Sequence, residues 1–392
     1  MTKETRIESQ LAFLVEADRL KTITRGNFTR TGDRSENSAE HSWHLALWAL
    51  TMAQHAGDEV DIDRAIQMLL LHDLVEIDAG DHPINTTVDP AIIAAKEKAA
   101  ADRLFGILPL DQATEFRAIW DEFEAAQTPT ALFAKYLDFA QPEIQVLTGH
   151  AAPQEHRDIA RDNLLNGRAS VLKTGFSDLY DHLWSLTEGS PNPIPPTAAL
   201  RRRLDFLSEV EALNTVERAT LTFDSKRREN SAEHSWHVAL FVMVLSEYAI
   251  RPISVTKVIK MMLIHDIVEV DVGDVPIHSA DGKAHGGKAV MAAEAEAASR
   301  LFGILPDEQT KEFRCLWDEF EAAITDDALF AKAIDRVQPV IANLETGGGT
   351  WLEYEVTQEQ LNSRVAGKVN AGAPEVWKAL SRRIDAWFAE NS

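Results

Sequence analysis

The 392-residue sequence is long enough for two domains of about 200 residues, and 45% of its residues are hydrophobic. Its formal net charge of −23 excludes a nucleic-acid polymer and an anionic membrane as expected partners, because like charges repel. A small phosphorylated ligand stays compatible with this charge, since a bound metal ion reverses the field inside a pocket.

Apolar residues recur at three- and four-residue spacing through most of the chain, and the alternation typical of strands is scarce. In chain order, this spacing predicts helices in the first half at 38–56, 63–73, 90–105, 111–126 and 130–147. The second half repeats the pattern, and Gly80 and Gly273 mark the ends of two matching short apolar segments. The sequence therefore predicts an all-α protein with a compact helical bundle in each half.

Three blocks of sequence occur in both halves. They are ENSAEHSWH at 36–44 and 229–237, RLFGILP at 103–109 and 300–306, and WDEFEAA at 120–126 and 317–323. Such long matches indicate a duplicated domain. The stretch Thr187–Thr197 is rich in proline and cannot continue a helix. We therefore predict a first domain at 1–190, a linker at 191–197 and a second domain at 198–392.

The single cysteine, Cys315, excludes a disulfide within the chain and fits a reducing compartment. Because it stands in an apolar helical stretch, we expect its side chain to be buried. The polar residues 1–5 do not resemble a signal peptide, and no apolar run is long enough to span a bilayer. We therefore expect a cytoplasmic protein.

Two histidines and two aspartates recur at matching positions in the two halves. They are His41, His72, Asp73 and Asp138 in the first half, and His234, His265, Asp266 and Asp335 in the second. Charged side chains on an apolar helix face are rarely buried unless they are paired or bind a metal. This donor set suits a divalent ion such as Mn, Fe, Co, Ni, Zn or Mg, with coordination positions left for water and substrate.

The pattern His…His-Asp…Asp resembles the HD superfamily of metal-dependent phosphohydrolases, and within it the branch of bacterial 5′-deoxynucleotidases. The stretches that carry the likeness are ENSAEHSW, LLLHDLVEIDAGDHPI at 69–84 and MLIHDIVEVDVGDVPI at 262–277. The likeness covers nearly all of both halves. It implies two tandem HD-type helical bundles, in which the eight residues above bind one divalent ion per domain.

The resemblance also implies roles for three further pairs of residues. Glu76 and Glu269 match an acidic residue that assists catalysis, Asp81 and Asp274 match a second acidic position near the substrate, and Arg25 and Arg218 match an arginine that binds substrate. A glutamate three to four residues after the His-Asp pair lies on the same helix face and can manage the proton of a bound water. The planar guanidinium of arginine suits a phosphate.

The sequence departs from the family pattern at two places. His44 and His237 stand where relatives often have arginine. Each could be an extra metal ligand or a contact to the substrate. We favour a third interpretation, in which each is a partly buried histidine that forms a hydrogen bond with a neighbouring residue. The run Gly347–Trp351 resembles the usual family sequence after the last aspartate, whereas the first half has Gly149–Pro153 there. The pocket of the first half is therefore expected to have diverged.

Three functions remain open at this point. The leading hypothesis is hydrolysis of a small phosphorylated metabolite, above all a (deoxy)nucleoside 5′-monophosphate. The second is an HD-type di-iron oxygenase, which needs more ligands, such as His44 or Glu76. The third is a nucleotide-sensing or regulatory protein in which one copy is catalytically weakened. Since single-domain relatives often form dimers, we expect an internal pseudo-dimer, with further homo-oligomer formation left open.

Overall fold

The structure is a computed structural model and describes residues 2–83, 88–149, 152–187, 194–278 and 287–391. The first half contains the helices α1 (Lys3–Ala17), α2 (Ser38–Thr51), α3 (Ile62–Leu71), α4 (Glu76–Ala79), α5 (Pro90–Phe105), α6 (Leu110–Ala125), α7 (Pro129–Thr148), α8 (Gln154–Asn166), α9 (Leu172–Gly175) and α10 (Ser177–Thr187). Each of the five segments that the sequence predicts overlaps one of these helices, although the segments 38–56 and 63–73 extend beyond the ends of α2 and α3.

The second half repeats this order. Its helices are α11 (Ala198–Val210), α12 (Ser231–Leu245), α13 (Val255–Ile264), α14 (Glu269–Val272), α15 (Lys288–Phe302), α16 (Asp307–Ala322), α17 (Asp326–Glu345), α18 (Gly349–Glu353), α19 (Gln358–Leu361), α20 (Gly367–Gly372) and α21 (Pro374–Asn391). Short 3-10 turns occupy Asp18–Thr22, Ala53–His55, His72–Val75, Arg168–Val171, Glu211–Thr215 and Ser246–Tyr248, and a π turn occupies Asn362–Ala366. The predicted all-α class is thus confirmed.

Two small antiparallel hairpins, which the sequence pattern does not predict, precede α2 and α12. Their strands are β1 (Thr24–Phe28) with β2 (Ser35–Asn37), and β3 (Glu217–Leu221) with β4 (Arg228–Asn230). The strands are at most five residues long and contain few apolar residues, so apolar and polar residues do not visibly alternate along them. Each hairpin matters for the site because its first strand carries one of the two predicted substrate-binding arginines.

A capping box fixes where α2 and α12 begin. The Asn37 side chain accepts hydrogen bonds from the backbone of α2, and the Asn37 backbone N–H donates to Glu40 Oε2 at 3.0 Å. Asn230 and Glu233 do the same for α12. Each cap also reaches the other half, since Asn37 Nδ2 donates to Glu233 Oε1 at 2.7 Å and Asn230 Nδ2 donates to Glu40 Oε1. The first histidine of each cluster therefore sits in a firmly anchored first helical turn.

The two halves pack through α2 and α12, and contacts across the interface occur in pairs with the roles exchanged. The Trp43 indole donates to the Leu263 carbonyl at 3.1 Å, and the Trp236 indole donates to the Leu70 carbonyl at 3.1 Å. Both tryptophans are buried, and every residue of α2 and α12 is buried as well. Helices that are buried on every face lie in the centre of a fold, and α2 and α12 do so.

The proposed boundary between the domains falls partly outside the described residues. Helix α10 ends at Thr187 and α11 begins at Ala198, while 188–193 are not described. The domains 1–190 and 198–392 and the linker 191–197 therefore stay a prediction. Within the described ranges, no helix is long and apolar enough to cross a membrane. The prediction for Cys315 is wrong: its side chain is exposed, because α16 turns Phe313 and Trp317 inward instead.

Candidate metal centres

In the first half, three separate elements bring the predicted quartet together. His41 comes from the first turn of α2, His72 and Asp73 follow the end of α3, and Asp138 lies within α7. His41 Nε2 is 3.3 Å from Asp138 Oδ1. His72 Nε2 is 3.1 Å from Asp73 Oδ1 and 4.0 Å from Asp138 Oδ1. Because the chain tightens into a 3-10 turn at His72, the adjacent histidine and aspartate reach the same point.

The second half repeats this arrangement. His234 Nε2 lies 3.1 Å from Asp335 Oδ1, while His265 Nε2 lies 3.2 Å from Asp266 Oδ1 and 3.8 Å from Asp335 Oδ1. Each half therefore holds a cluster in which ligand atoms of three residues fall within 4.8 Å of one another. Two clusters built from the same residue types at the same spacing are the main structural result of the duplication.

The chemistry of the buried histidines fits a cation at each cluster. His72 Nδ1 donates to the Leu69 carbonyl at 2.8 Å, and His265 Nδ1 donates to the Met262 carbonyl at 2.9 Å. Since a carbonyl only accepts, Nδ1 of each ring carries a proton, which leaves Nε2 as the ring atom that faces the carboxylates. Both Nε2 atoms are buried and have no hydrogen-bonding partner among the described residues. Buried imidazole nitrogens without a hydrogen-bonding partner, set among carboxylates, are the donors that bind divalent ions, so the donor set fits such an ion.

A buried glutamate supports the first histidine of each cluster, and the sequence analysis did not identify it. Glu36 Oε2 lies 3.3 Å from His41 Nδ1, and Glu229 Oε1 lies 3.5 Å from His234 Nδ1. Despite burial, the carboxylates of Asp138 and Glu36 raise the pKa of His41 to about 9. A carboxylate at Nδ1 orients the ring so that Nε2 faces the cluster. The signal was present in the sequence, because these glutamates open the identical nine-residue block.

The predicted arginines lie beside the clusters and are held by carboxylates. Arg25 Nη1 is 2.6 Å from Asp73 Oδ2 and 3.7 Å from Glu76 Oε1. The corresponding distances from Arg218 Nη1 are 2.6 Å to Asp266 Oδ2 and 3.6 Å to Glu269 Oε1. The hairpins therefore place each guanidinium between the His-Asp pair and the glutamate that follows it.

The predicted acidic residues lie around these arginines. Ser38 Oγ donates to Glu76 Oε2 at 2.5 Å, and Ser231 Oγ makes the matching bond to Glu269. Burial and the neighbouring carboxylate of Asp73 raise the pKa of Glu76. Burial and the carboxylate of Asp266 do the same for Glu269. Asp81 Oδ2 accepts a hydrogen bond from the Gly26 N–H at 3.1 Å, and Asp274 Oδ1 lies 3.8 Å from Arg218 Nη1.

The interpretation of His44 and His237 as buried, satisfied histidines is confirmed. His44 Nε2 lies 3.1 Å from the Leu207 carbonyl, and its Nδ1 lies 3.2 Å from Gln141 Nε2. His237 Nε2 contacts the Leu14 carbonyl at 2.9 Å. Burial lowers the pKa of His44 to about 4, so the ring is neutral. Both rings bind across the interface between the halves and stand outside the ligand clusters.

Two helical bundles, each with a buried His/Asp cluster, define a tandem metal-binding hydrolase fold, and comparison with known proteins identifies the family. The model of the HD domain matches residues 17–180 and again residues 210–377. The chain belongs to the HD-domain family, and it is a metal-dependent phosphohydrolase with a divalent metal cofactor.

Several relatives carry the name 5′-deoxynucleotidase HDDC2. The Xenopus laevis protein is 30% identical over 141 residues, which are 36% of this chain and 69% of the relative. The Homo sapiens protein is 27% identical over 138 residues, which are 35% of this chain and 66% of the relative. The matches thus span about two thirds of these relatives. A solved structure of a predicted metal-dependent phosphohydrolase from Magnetospirillum magnetotacticum MS-1 is 40% identical, covers 50% of this chain and 97% of its own, and has a TM-score of 0.45.

Proposed function

We propose that this protein hydrolyses the phosphate ester of a (deoxy)nucleoside 5′-monophosphate. The observation that carries the proposal is the position of the second cluster: His265, Asp266 and Asp335 line a cavity of about 590 Å³, together with Arg218 and Glu269. A cavity of this size is in the range of ordinary small-ligand sites. The names of the HDDC2 relatives support a 5′-deoxynucleotide as the substrate.

In this proposal each quartet holds one divalent ion. The ligands are His41, His72, Asp73 and Asp138 in the first half and His234, His265, Asp266 and Asp335 in the second. A bound ion of this kind polarises a phosphoryl oxygen and lowers the pKa of a bound water. Which metal fills the sites, among Mn, Co, Mg, Zn, Ni and Fe, is a question for metal analysis of the purified protein.

The remaining site residues bind the substrate and move protons. Arg218 offers charged N–H donors to the phosphate from the strand that faces the cluster, and Arg25 has the same place in the first half. Glu269, held by the Ser231 hydroxyl, can hand a proton to the leaving oxygen of the ester, and Glu76 with Ser38 has the matching position in the first half. Asp274 and Asp81 hold the hairpin and the arginine in place from the other side.

The di-iron alternative is disfavoured by the donors around each cluster. A second ion needs additional ligands, and His44 was the first candidate for one. Its two ring nitrogens contact Leu207 and Gln141 instead, inside the interface between the halves. Glu76 alone does not supply the donors of a second iron site.

The test is phosphate release from a panel of nucleoside mono-, di- and triphosphates, using metal-stripped protein supplemented with Mn, Co, Mg or Zn. We expect metal-dependent release of phosphate from monophosphates and none from stripped protein. The matched control is the double variant His72→Ala/His265→Ala, which should stay inactive with every metal. Release of pyrophosphate or triphosphate, or no release with any metal, would overturn the proposal.

A further inference from the structure

The two halves differ in the cavity beside the cluster. The 590 Å³ cavity of the second half is lined by cluster residues, including His265, Asp266 and Asp335. The cavity beside Arg25 in the first half measures about 150 Å³, and the described residues that line it include none of the first quartet. The Asp138 side chain is nevertheless 17% exposed, so water and ions reach the first cluster. The difference between the halves therefore concerns the space for a substrate.

Two cations on the wall of the second cavity have no counterpart in the first half. Arg336 follows the last aspartate of the quartet directly and lies 3.8 Å from it, and Lys368 stands 33 residues after that aspartate on α20. Burial lowers the pKa of Lys368, and the nearby positive charges of Arg336 and Lys332 lower it further. Cations brought together against their mutual repulsion are typical of an anion-binding site.

Lys332, a third cation on this wall, has a counterpart in the first half that makes the same contacts. Its Nζ lies 2.8 Å from Glu321 Oε1 and 3.6 Å from the centre of the Phe320 ring. Lys135 in the first half makes the matching contacts, at 2.9 Å to Glu124 and 3.7 Å to the Phe123 ring. The lysine three residues before the last aspartate of the quartet thus makes the same contacts in both halves, and it does not account for the difference between the two cavities.

At the positions of Arg336 and Lys368, the first half has Phe139 and Val171. A further exchange places Glu143 where the second half has Val340. The cations that line the first cavity are Arg25 and Arg168, and Arg168 packs 5.6 Å from the Phe139 ring and lies near the Glu143 carboxylate. The first cavity is therefore smaller than the second, and fewer cations line it.

We propose that Arg336 and Lys368 bind the anionic group of the substrate, so that the second half is the one that takes up and hydrolyses the nucleotide. The inference rests on the proposed function and deepens it, since it assigns the turnover to one of two clusters with the same ligands. The substrate class is a small molecule with a dianionic phosphomonoester, because two cations beyond Arg218 face the cavity.

The first test exchanges residues between the halves in the metal-loaded full chain. Arg336→Phe and Lys368→Val introduce the residues of the first half, and each should raise KM for the best monophosphate about tenfold with a smaller change in kcat. Arg336→Lys keeps the charge and should restore most of the affinity. The matched control is Arg168→Val, which introduces the residue of the second half and should leave KM unchanged. Unchanged KM in both cation variants, or an equal increase in Arg168→Val, would overturn the inference.

The second test counts anion sites and does not depend on turnover. Equilibrium dialysis of the metal-loaded chain with inorganic phosphate should give one phosphate per wild-type chain and none for Arg336→Phe/Lys368→Val. Two phosphates per chain, or one that survives in the double variant, would overturn the inference. If the wild type released phosphate from no nucleotide, the proposed function would fail, and the phosphate count would still decide between one anion site and two.

Discussion

Lys21 in the first half lies 2.9 Å from the Glu229 carboxylate in the second half, and both side chains are fully buried. The same ammonium contacts the Asp18 carboxylate and lies 3.1 Å from His237 Nδ1. Glu229 in turn supports His234 of the second cluster. A residue of the first half therefore takes part in the environment of the second metal centre.

This contact is not repeated with the roles exchanged. The residue that corresponds to Lys21 in the second half is Asn214. Glu36, the counterpart of Glu229, accepts a hydrogen bond from Gln145 Nε2 at 2.9 Å. A neutral amide thus stands near the first cluster where a cation stands near the second. The asymmetry of the substrate cavities extends into the buried interface.

Replacing Lys21 tests this buried ion network. Lys21→Met leaves the carboxylates of Asp18 and Glu229 without their cation, and we expect a loss of about 3–5 kcal/mol in the free energy of unfolding. Urea titration followed by circular dichroism measures this change. Lys226→Met, at an exposed lysine, is the control and should cost less than about 0.5 kcal/mol. Equal stabilities of the two variants would mean that the network contributes nothing.

The hydroxyl groups that hold the proposed acids are a second target. Ser231→Ala removes the hydrogen bond to Glu269, and we expect kcat to fall about tenfold with KM little changed, because a positioning contact worth about 1.4 kcal/mol is lost. Ser231→Thr retains a hydroxyl and should recover most of the rate. Ser38→Ala is the matched variant of the first half and should cost less. A change in KM alone would contradict a role in proton transfer.

Buried Glu143 makes stability depend on pH. Burial raises the pKa of its carboxyl to about 7 from 4.5, although Asn163 Nδ2 donates to it. As pH rises, this carboxyl group ionises at a lower pH in the unfolded chain than in the folded protein. The folded protein therefore loses stability between pH 4.5 and about 7, and the loss does not grow above that range. Glu143→Gln removes the penalty, and its gain over wild type should be near zero at pH 4.5 and on the order of 1–3 kcal/mol at pH 8.

Urea unfolding at both pH values checks the prediction for Glu143. The control is Glu155→Gln, an exposed substitution on α8. A gain for Glu143→Gln of the same size at pH 4.5 and pH 8 would show that the carboxyl group does not titrate in this range.

Metal binding should also stabilise the fold directly. An ion that binds only the native protein adds about 2.7 kcal/mol per site at a concentration one hundred times its Kd. Thermal unfolding of stripped protein with increasing Mn²⁺ should therefore show a rising Tm. The double variant His72→Ala/His265→Ala should show little of this increase. An equal increase in variant and wild type would place the ion elsewhere on the protein.

The helices could be predicted from the sequence because their apolar spacing is long and regular. The segment 90–105 matches α5 at both ends, and 130–147 differs from α7 by one residue at each end. The hairpins could not be predicted in this way, since a strand such as Ser35–Asn37 is too short for any period. The burial of Cys315 was predicted wrongly because an apolar neighbourhood in sequence does not say which face of α16 it occupies.

The eight cluster residues could be singled out because the duplication preserves them as a set. Glu36 escaped notice because its place in the repeated block marks it as shared by both halves but does not show whether it is buried beside a histidine or lies on the surface. The contrast between Phe139 and Arg336 is visible in the sequence, yet its meaning depends on which side chains line the cavity. Only the structure shows which side chains line each cavity, because the lining depends on how α7 and α17 pack against the helices that come after them in the chain.

The most direct test of the central claim is the rate of phosphate release from a deoxynucleoside 5′-monophosphate by wild type and His265→Ala, each measured before chelation, after chelation and after metal is restored. The account predicts that wild type loses its activity on chelation and regains it with metal, whereas His265→Ala is nearly inactive throughout. Release that survives both chelation and the loss of His265 would contradict a metal-dependent phosphohydrolase centred on this cluster.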